Sequence, residues 1–171
     1  GVDAAMLELT VCSTGPTTWY PDLDLDGLGD PDGLLSSCDP PEGYVTDGSD
    51  CNDSDQESWS MPAEVDGLAM NSLPDGVELT WASQASAAGV GTVYDVATGM
   101  LSSLRGSGSF NGAICLANSL PNPTFVDTRD AGGPDNYYLL RARNSCGAAT
   151  FGDSTFLPDP RDGLDASGVC P

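Results

Sequence analysis

The residues best suited to do chemistry in this chain are carboxylates. The stretch Asp22-Leu-Asp-Leu-Asp-Gly-Leu-Gly-Asp30 reads D-x-D-x-D-G-x-G-D. If such a loop coils, Asp22, Asp24 and Asp26 converge on one cation. Gly27 permits the sharp turn that follows, Leu28 offers its backbone carbonyl, and Asp30 ligates directly or through water. The twelfth position, where an EF-hand carries a bidentate Glu, is Gly33. The loop therefore matches only the first half of an EF-hand, and its remaining carboxylates must come from elsewhere. A second cluster, Asp47-Gly-Ser-Asp-Cys-Asn-Asp-Ser-Asp55, is the natural supplier. Oxygen-only ligands in a flexible, carboxylate-rich loop fit Ca2+ better than Mg2+, which keeps more water, or Zn2+, which prefers nitrogen and sulfur.

Composition removes most other chemistry. Of 171 residues, 26 are Asp or Glu and five are basic; His is absent and the net charge is -21. All five basic residues are Arg (Arg105, Arg129, Arg141, Arg143 and Arg161). The chain thus has no imidazole base, no Schiff-base lysine and no ordinary imidazole metal site. Ser107 and Ser109 sit in Gly106-Ser-Gly-Ser109 with no His partner and no nucleophile-elbow pattern. Two carboxylates suffice for a glycosidase, but such a cleft needs a far larger scaffold. The chain is therefore expected not to be an enzyme. So negative a surface repels nucleic acid and anionic membrane unless a cation bridges them.

The charge is concentrated. Residues 22–66 hold 14 of the acids and no base, and their apolar content is too thin for burial to fold them unaided. Cys12, Cys38, Cys51, Cys115, Cys146 and Cys170 include no C-x-x-C pair. They read as disulfides formed in an oxidising compartment, which places the protein outside the cell or on its surface. Cys38 and Cys51 bracket the turn between the acidic clusters, and a bridge there would hold both loops together. No stretch approaches the roughly 20 apolar residues of a membrane helix. No basic-plus-apolar leader is present, so Gly1 is expected to follow a removed export signal or to mark where this piece begins.

The run Trp19-Tyr-Pro-Asp-Leu-Asp-Leu-Asp-Gly-Leu-Gly-Asp30, then Cys38-Asp-Pro-Pro-Glu-Gly-Tyr-Val45, Asp50-Cys-Asn-Asp-Ser-Asp55 and Pro62-Ala-Glu64 resembles one copy of a bacterial extracellular metal-binding repeat. That family is similar in style to thrombospondin type 3 calcium repeats. The resemblance spans about 48 residues (19–66). It implies Ca2+ ligation by Asp22, Asp24, Asp26 and Asp30, with Asp50, Asn52, Asp53 and Asp55 as second-cluster candidates; the Leu28 carbonyl and Glu64 complete the candidate ligand set. Where such repeats end in an Asp-Asn-Asp-Cys-Asp-Gly-like stretch, this chain has only Asp66-Gly67.

Beyond residue 66 the pattern changes to short alternating runs between Gly, Pro, Asn and Asp clusters, which predicts an all-β domain over 67–171. Val77-Glu-Leu-Thr-Trp81 puts Val77, Leu79 and Trp81 on one face. Thr92-Val-Tyr-Asp-Val96 groups Thr92, Tyr94 and Val96, with Asp95 outward. Asn136–Asn144 turns Tyr138, Leu140 and Ala142 inward and leaves Arg141 and Arg143 to solvent. This is the period-2 pattern of strands half buried in an antiparallel sandwich, with Trp81, Tyr94 and Tyr138 in its core. Arg141 and Arg143 are expected to pair with nearby carboxylates. The run of Trp81, Tyr94-Asp-Val96 and Tyr138-Leu-Leu-Arg-Ala-Arg-Asn144 resembles a fibronectin type III domain over about residues 64–157, supplying its B, C and F strands. Asn144-Ser-Cys-Gly147 is similar to a Cys-bearing variant of that fold. The resemblance implies Cys115 or Cys170 as the partner of Cys146, with the spare Cys meeting Cys12.

Residues 1–18 form a separate segment. In Ala5-Met-Leu-Glu-Leu-Thr-Val11, Leu7, Leu9 and Val11 share one face and Met6, Glu8 and Thr10 the other. An isolated strand is unstable, so it must join a sheet. It either folds back on its own sandwich or adds to the sheet edge of a neighbouring copy. The function expected from all this is a secreted structural protein stabilised by calcium, in its sharper form a self-assembling filament subunit. The alternative is a non-catalytic adhesion module of a larger secreted protein that recognises glycan or protein.

Overall fold

The computed structural model describes residues 12–13, 15–129, 135–152 and 159–170. The chain forms two compact units, Gly1–Gln56 and Glu57–Pro171. The acids alone put the change at 66/67. Residues 57–60 instead run beside a loop of the second unit: the Gly91 amide donates to the Glu57 carbonyl (2.8 Å) and that of Trp59 to the Ala88 carbonyl (3.2 Å). The predicted strand Ala5–Val11 lies outside the described residues.

The first unit contains strands β1 (Thr17–Pro21), β2 (Leu35–Ser37) and β3 (Tyr44–Val45), in the antiparallel order β2-β1-β3. Among its described residues, the buried side chains are two aspartates, Asp22 and Asp50, while Leu23, Leu25 and Leu34 are exposed. This is the reverse of an ordinary core. The β1–β2 register sets Thr17 opposite Ser37, so the residue after β2 comes beside the chain entering β1. Cys38 bonds to Cys12 upstream of β1, with Cα atoms 5.2 Å apart, and not to Cys51 as its flanking position suggested.

The second unit is mostly β. Its elements in order are β4 (Ala69–Leu73), β5 (Gly76–Thr80), the short helix α1 (Ala85–Ala88), β6 (Val93–Met100), α2 (Leu101–Ser107), β7 (Ile114–Leu120), β8 (Thr124–Asp127), β9 (Asn136–Asn144), β10 (Gly147–Ala148) and α3 (Asp162–Ser167). They form two antiparallel sheets, ordered β4-β5-β8 and β10-β9-β6-β7. One apolar cluster draws on both: Leu79 from β5, Tyr94 and Val96 from β6, Leu140 and Ala142 from β9, with Trp81 beyond β5. Trp81 meets Tyr94 edge-on at 5.4 Å, and Tyr138 packs against the cluster. The alternation thus identified the inward residues of both sheets.

The other face of the four-stranded sheet departs from expectation. Asp95, Arg141 and Arg143 share it, yet Asp95 is fully buried and Arg141 nearly so. A second cluster of Ala97, Phe151, Leu164 and Cys170, joined by Leu139, covers that face with the C-terminal segment and α3. Alternation tells which residues share a side, but it carries no signal of what will cover that side. Arg141 and Arg143 both donate to Asp95 (2.9 and 3.2 Å), and the Ser119 amide donates to its other oxygen (3.1 Å). Arg141 also stacks on Phe151 and donates to the Cys170 carbonyl. Cys115 pairs with Cys170, which removes both partners that the sequence offered Cys146. The β6–β7 register sets Cys115 opposite Ala97, on the face that Cys170 covers. Cys51 and Cys146 are also disulfide-bonded, and no described cysteine is free. Among the described residues no helix is long and apolar enough to cross a membrane.

Candidate metal centre

The acidic loop leaves β1 at Pro21 and is folded by its own carboxylates. The Asp26 amide donates to Asp24 Oδ1 (3.2 Å), the Leu28 amide to Asp26 Oδ1 (2.7 Å) and the Gly27 amide to Asp22 Oδ2 (3.2 Å). Each short side chain closes a turn over the backbone that follows it. The coil is tight enough to put Leu25 at φ +65°, a left-handed conformation that disfavours a branched side chain, and Gly27 at φ +96°.

Backbone pairing brings in the second acidic segment. The Gly29 amide donates to the Asp47 carbonyl (2.9 Å), and the Asp50 amide to the Gly29 carbonyl (3.2 Å). A Cβ on residue 29 would sit 2.7 Å from the Pro21 carbonyl oxygen and from Tyr20 Cβ, so only glycine lets the loop lie against the end of β1. Asp50 Oδ1 accepts from the Asn52 amide (3.0 Å), and Asp53 Oδ1 accepts from the Leu23 amide (2.7 Å), tying the second segment back to the first loop. Gln56 Nε2 donates to the Leu25 carbonyl (3.2 Å), a tie that no sequence pattern announced.

Two triads of carboxylate oxygens result, Asp22/Asp24/Asp53 and Asp24/Asp26/Asp50. Within each, the oxygens lie within 4.8 Å of one another, and Asp24 belongs to both. In all five residues one oxygen holds the backbone, while the other (Asp22 Oδ1, Asp24 Oδ2, Asp26 Oδ2, Asp50 Oδ2 and Asp53 Oδ2) is buried without a hydrogen-bond partner. Asp22 is 8% exposed and Asp50 2%. Burial pushes the Asp50 carboxyl above its ordinary range, the Asn52 amide opposes this, and Asp26, Asp24 and Asp53 add to the rise. Buried carboxylates without partners are costly unless a positive charge joins them. An oxygen-only donor set of this kind suits a hard divalent cation.

The other expected ligands lie outside both triads. Asp30 Oδ1 accepts from the Asp32 amide (2.8 Å), and the Asn52 side-chain oxygen accepts from Ser54 Oγ (2.7 Å). Leu28 enters through its amide. Asp55 donates its own amide to the Asn52 carbonyl (2.9 Å). Glu64 belongs to the second unit, where it accepts from the Thr150 amide (3.2 Å) and hydroxyl. In that unit an open cleft of about 350 Å³ lies beside Thr98, Met100, Ser103, Ile114 and Arg129. Its guanidinium is already spent on Asp127 at 3.0 Å. No protein-family model, no curated protein and no solved structure matches this chain.

Proposed function

We propose that the chain is a secreted, calcium-stabilised structural protein of the cell surface. The observation that carries this reading is the set of five aspartates, each of which turns one buried, unpartnered oxygen toward its neighbours. A unit whose buried side chains are carboxylates gains little from the hydrophobic effect and is opposed by their mutual repulsion. Calcium reverses the sign of that interaction, and its binding energy becomes folding energy. Asp22, Asp24 and Asp53, and Asp24 with Asp26 and Asp50, are the residues that would hold the ions. The role proposed for the ions is to stiffen the acidic unit rather than to perform a reaction.

The second unit is read as fibronectin type III-like. The sheet orders β4-β5-β8 and β10-β9-β6-β7 support that architecture, as do Trp81 and Tyr94 in the core between them. The six disulfide-bonded cysteines support life in an oxidising compartment.

Calorimetric titration of chelator-treated, dialysed protein tests the reading. Calcium is expected to bind with heat, to bind more tightly than magnesium, and to disperse the amide NMR resonances of residues 15–56. Protein that binds no calcium and shows the same dispersed spectrum in chelator would overturn it.

A further inference from the structure

Edge strands are sites of unwanted pairing, and proteins guard them with charge, proline, bulges or very short length. The edges of the second unit differ in this respect. Along β7 the register slips twice against β6, and Ser119 has φ +53°. β10 has two residues and β8 four. β4 has no such guard. It pairs with β5 through five consecutive residues without a slip, and among the described residues nothing pairs with its other edge. In a chain with 26 acids, residues 68–73 (Leu-Ala-Met-Asn-Ser-Leu) contain neither charge nor proline.

The side chains of this edge are also uncovered. Residues directly opposite in an antiparallel pair share a face. Met70 is opposite Leu79, and so lies on the side that Leu79 presents to the core. Leu79 is fully buried, whereas Met70 is 62% exposed and Leu68 39%. An apolar row therefore continues past the covered part of the sheet.

We propose that the β4 edge is a strand acceptor, occupied by Ala5–Val11 of a second copy of this chain. The segment suits the edge in its sequence pattern: paired there, Leu7, Leu9 and Val11 would extend the Leu68/Met70 row, with Met6, Glu8 and Thr10 on the opposite face. Its root, Cys12, is tied by disulfide to Cys38 in the first unit, whereas the acceptor is in the second. The donor is thus rooted in one unit and its acceptor belongs to the other. Because every copy carries both, the contact is head-to-tail and propagates into a chain of subunits. This proposal names the assembly surface for the structural role proposed above and rests on it, but it does not need the ions themselves to bridge copies.

Sedimentation of the full chain in calcium is expected to show concentration-dependent oligomers. Met70→Lys blocks the acceptor and Leu9→Glu the donor by placing a charge in the pairing face; each is expected to weaken self-association by about tenfold or more, which corresponds to about 1.4 kcal/mol. Mixed together, the two variants retain one good donor and one good acceptor, and are expected to form a discrete one-to-one dimer. A synthetic Ala5–Val11 peptide is expected to dissolve wild-type oligomers. A wild type that stays monomeric at every concentration, as folding back would make it, overturns the proposal; so does a variant mixture that stays monomeric, or undiminished assembly by Met70→Lys. Calcium titration of the same variants separates this outcome from failure of the metal reading, because neither substitution touches the carboxylate triads.

Discussion

Asp24→Asn is the sharpest test of the carboxylate centre, because it should change sign with the metal. Asn keeps the Oδ1 atom that accepts from the Asp26 amide (3.2 Å), so the turn survives, while one charge leaves both triads. Two like charges 4.8 Å apart repel by roughly 3–4 kcal/mol at an effective dielectric of about 20. Asp24 itself is only half-buried, so water and salt reduce this to on the order of 1 kcal/mol. In chelator, then, the variant is expected to be as stable as wild type or more so. In calcium the balance reverses. An ion present at 100 times its dissociation constant stabilises the fold by about 2.7 kcal/mol, and loss of the shared ligand forfeits most of that. For a unit of this size, 1 kcal/mol moves the midpoint by about 4–8 °C, so the variant should melt on the order of 10 °C below wild type. Scanning calorimetry of both proteins in calcium and in chelator reads this directly, with Asp39→Asn, exposed and outside both triads, as the control. Equal loss in both conditions would refute the reasoning, since Asp24 would then act through the fold alone.

Two further predictions concern the second unit. Asp95→Asn leaves Arg141 and Arg143 packed against a neutral group, and should cost about 3–5 kcal/mol in urea unfolding; a cost below about 1 kcal/mol would mean that the pair is dispensable. Asp127 is held down to a pKa of about 2, chiefly by the Arg129 guanidinium beside it, with the Arg129 amide and the Tyr138 hydroxyl assisting and burial opposing. A carboxyl lowered by folding stabilises the native state above its unfolded pKa of about 3.9, and that contribution is lost as pH falls toward the folded value. The stability gap between wild type and Asp127→Asn should accordingly be level above about pH 5 and close toward about pH 2, as followed by denaturant midpoints. A gap independent of pH over that range would remove the ion pair from the account.

Strand content and inward faces were readable wherever alternation was strong. β9 spans the predicted Asn136–Asn144, and Trp81, Tyr94 and Leu140 occupy the predicted core. What the sequence could not convey was long-range coverage. Asp95 looks like an outward residue until Phe151, Leu164 and Cys170 arrive from the far end of the chain to bury its side of the sheet. Cysteine pairing failed for a related reason: the flanking of the turn suggested Cys38 with Cys51, whereas Cys38 bonds to Cys12, upstream of β1. In the acidic segment the alternating spacing pointed to Asp22, Asp24 and Asp26, which the fold gathers into the carboxylate triads. That Asp50 and Asp53 join them depends on the pairing of Gly29 with Asp47 and Asp50 and of Leu23 with Asp53, contacts that leave no local signature.

The chemistry of the segment also accounts for its choice of acid. Between residues 22 and 66 there are eleven Asp and three Glu, although either can ligate calcium. The difference lies in what the other oxygen must do. Asp24, Asp26, Asp30 and Asp50 each accept from the amide two residues onward, a turn that the short Asp side chain closes over its own backbone. An extra methylene in Glu would carry the carboxylate past that amide, leaving the loop without the bonds that coil it. One oxygen therefore shapes the backbone and the other is delivered inward, so that in Asp24, Asp26 and Asp50 folding the loop and assembling the triads are a single event. Such a loop needs no apolar core to define its path, but it gathers like charges as it closes. The same turns that replace the missing core thus gather the like charges that the proposed cation would balance.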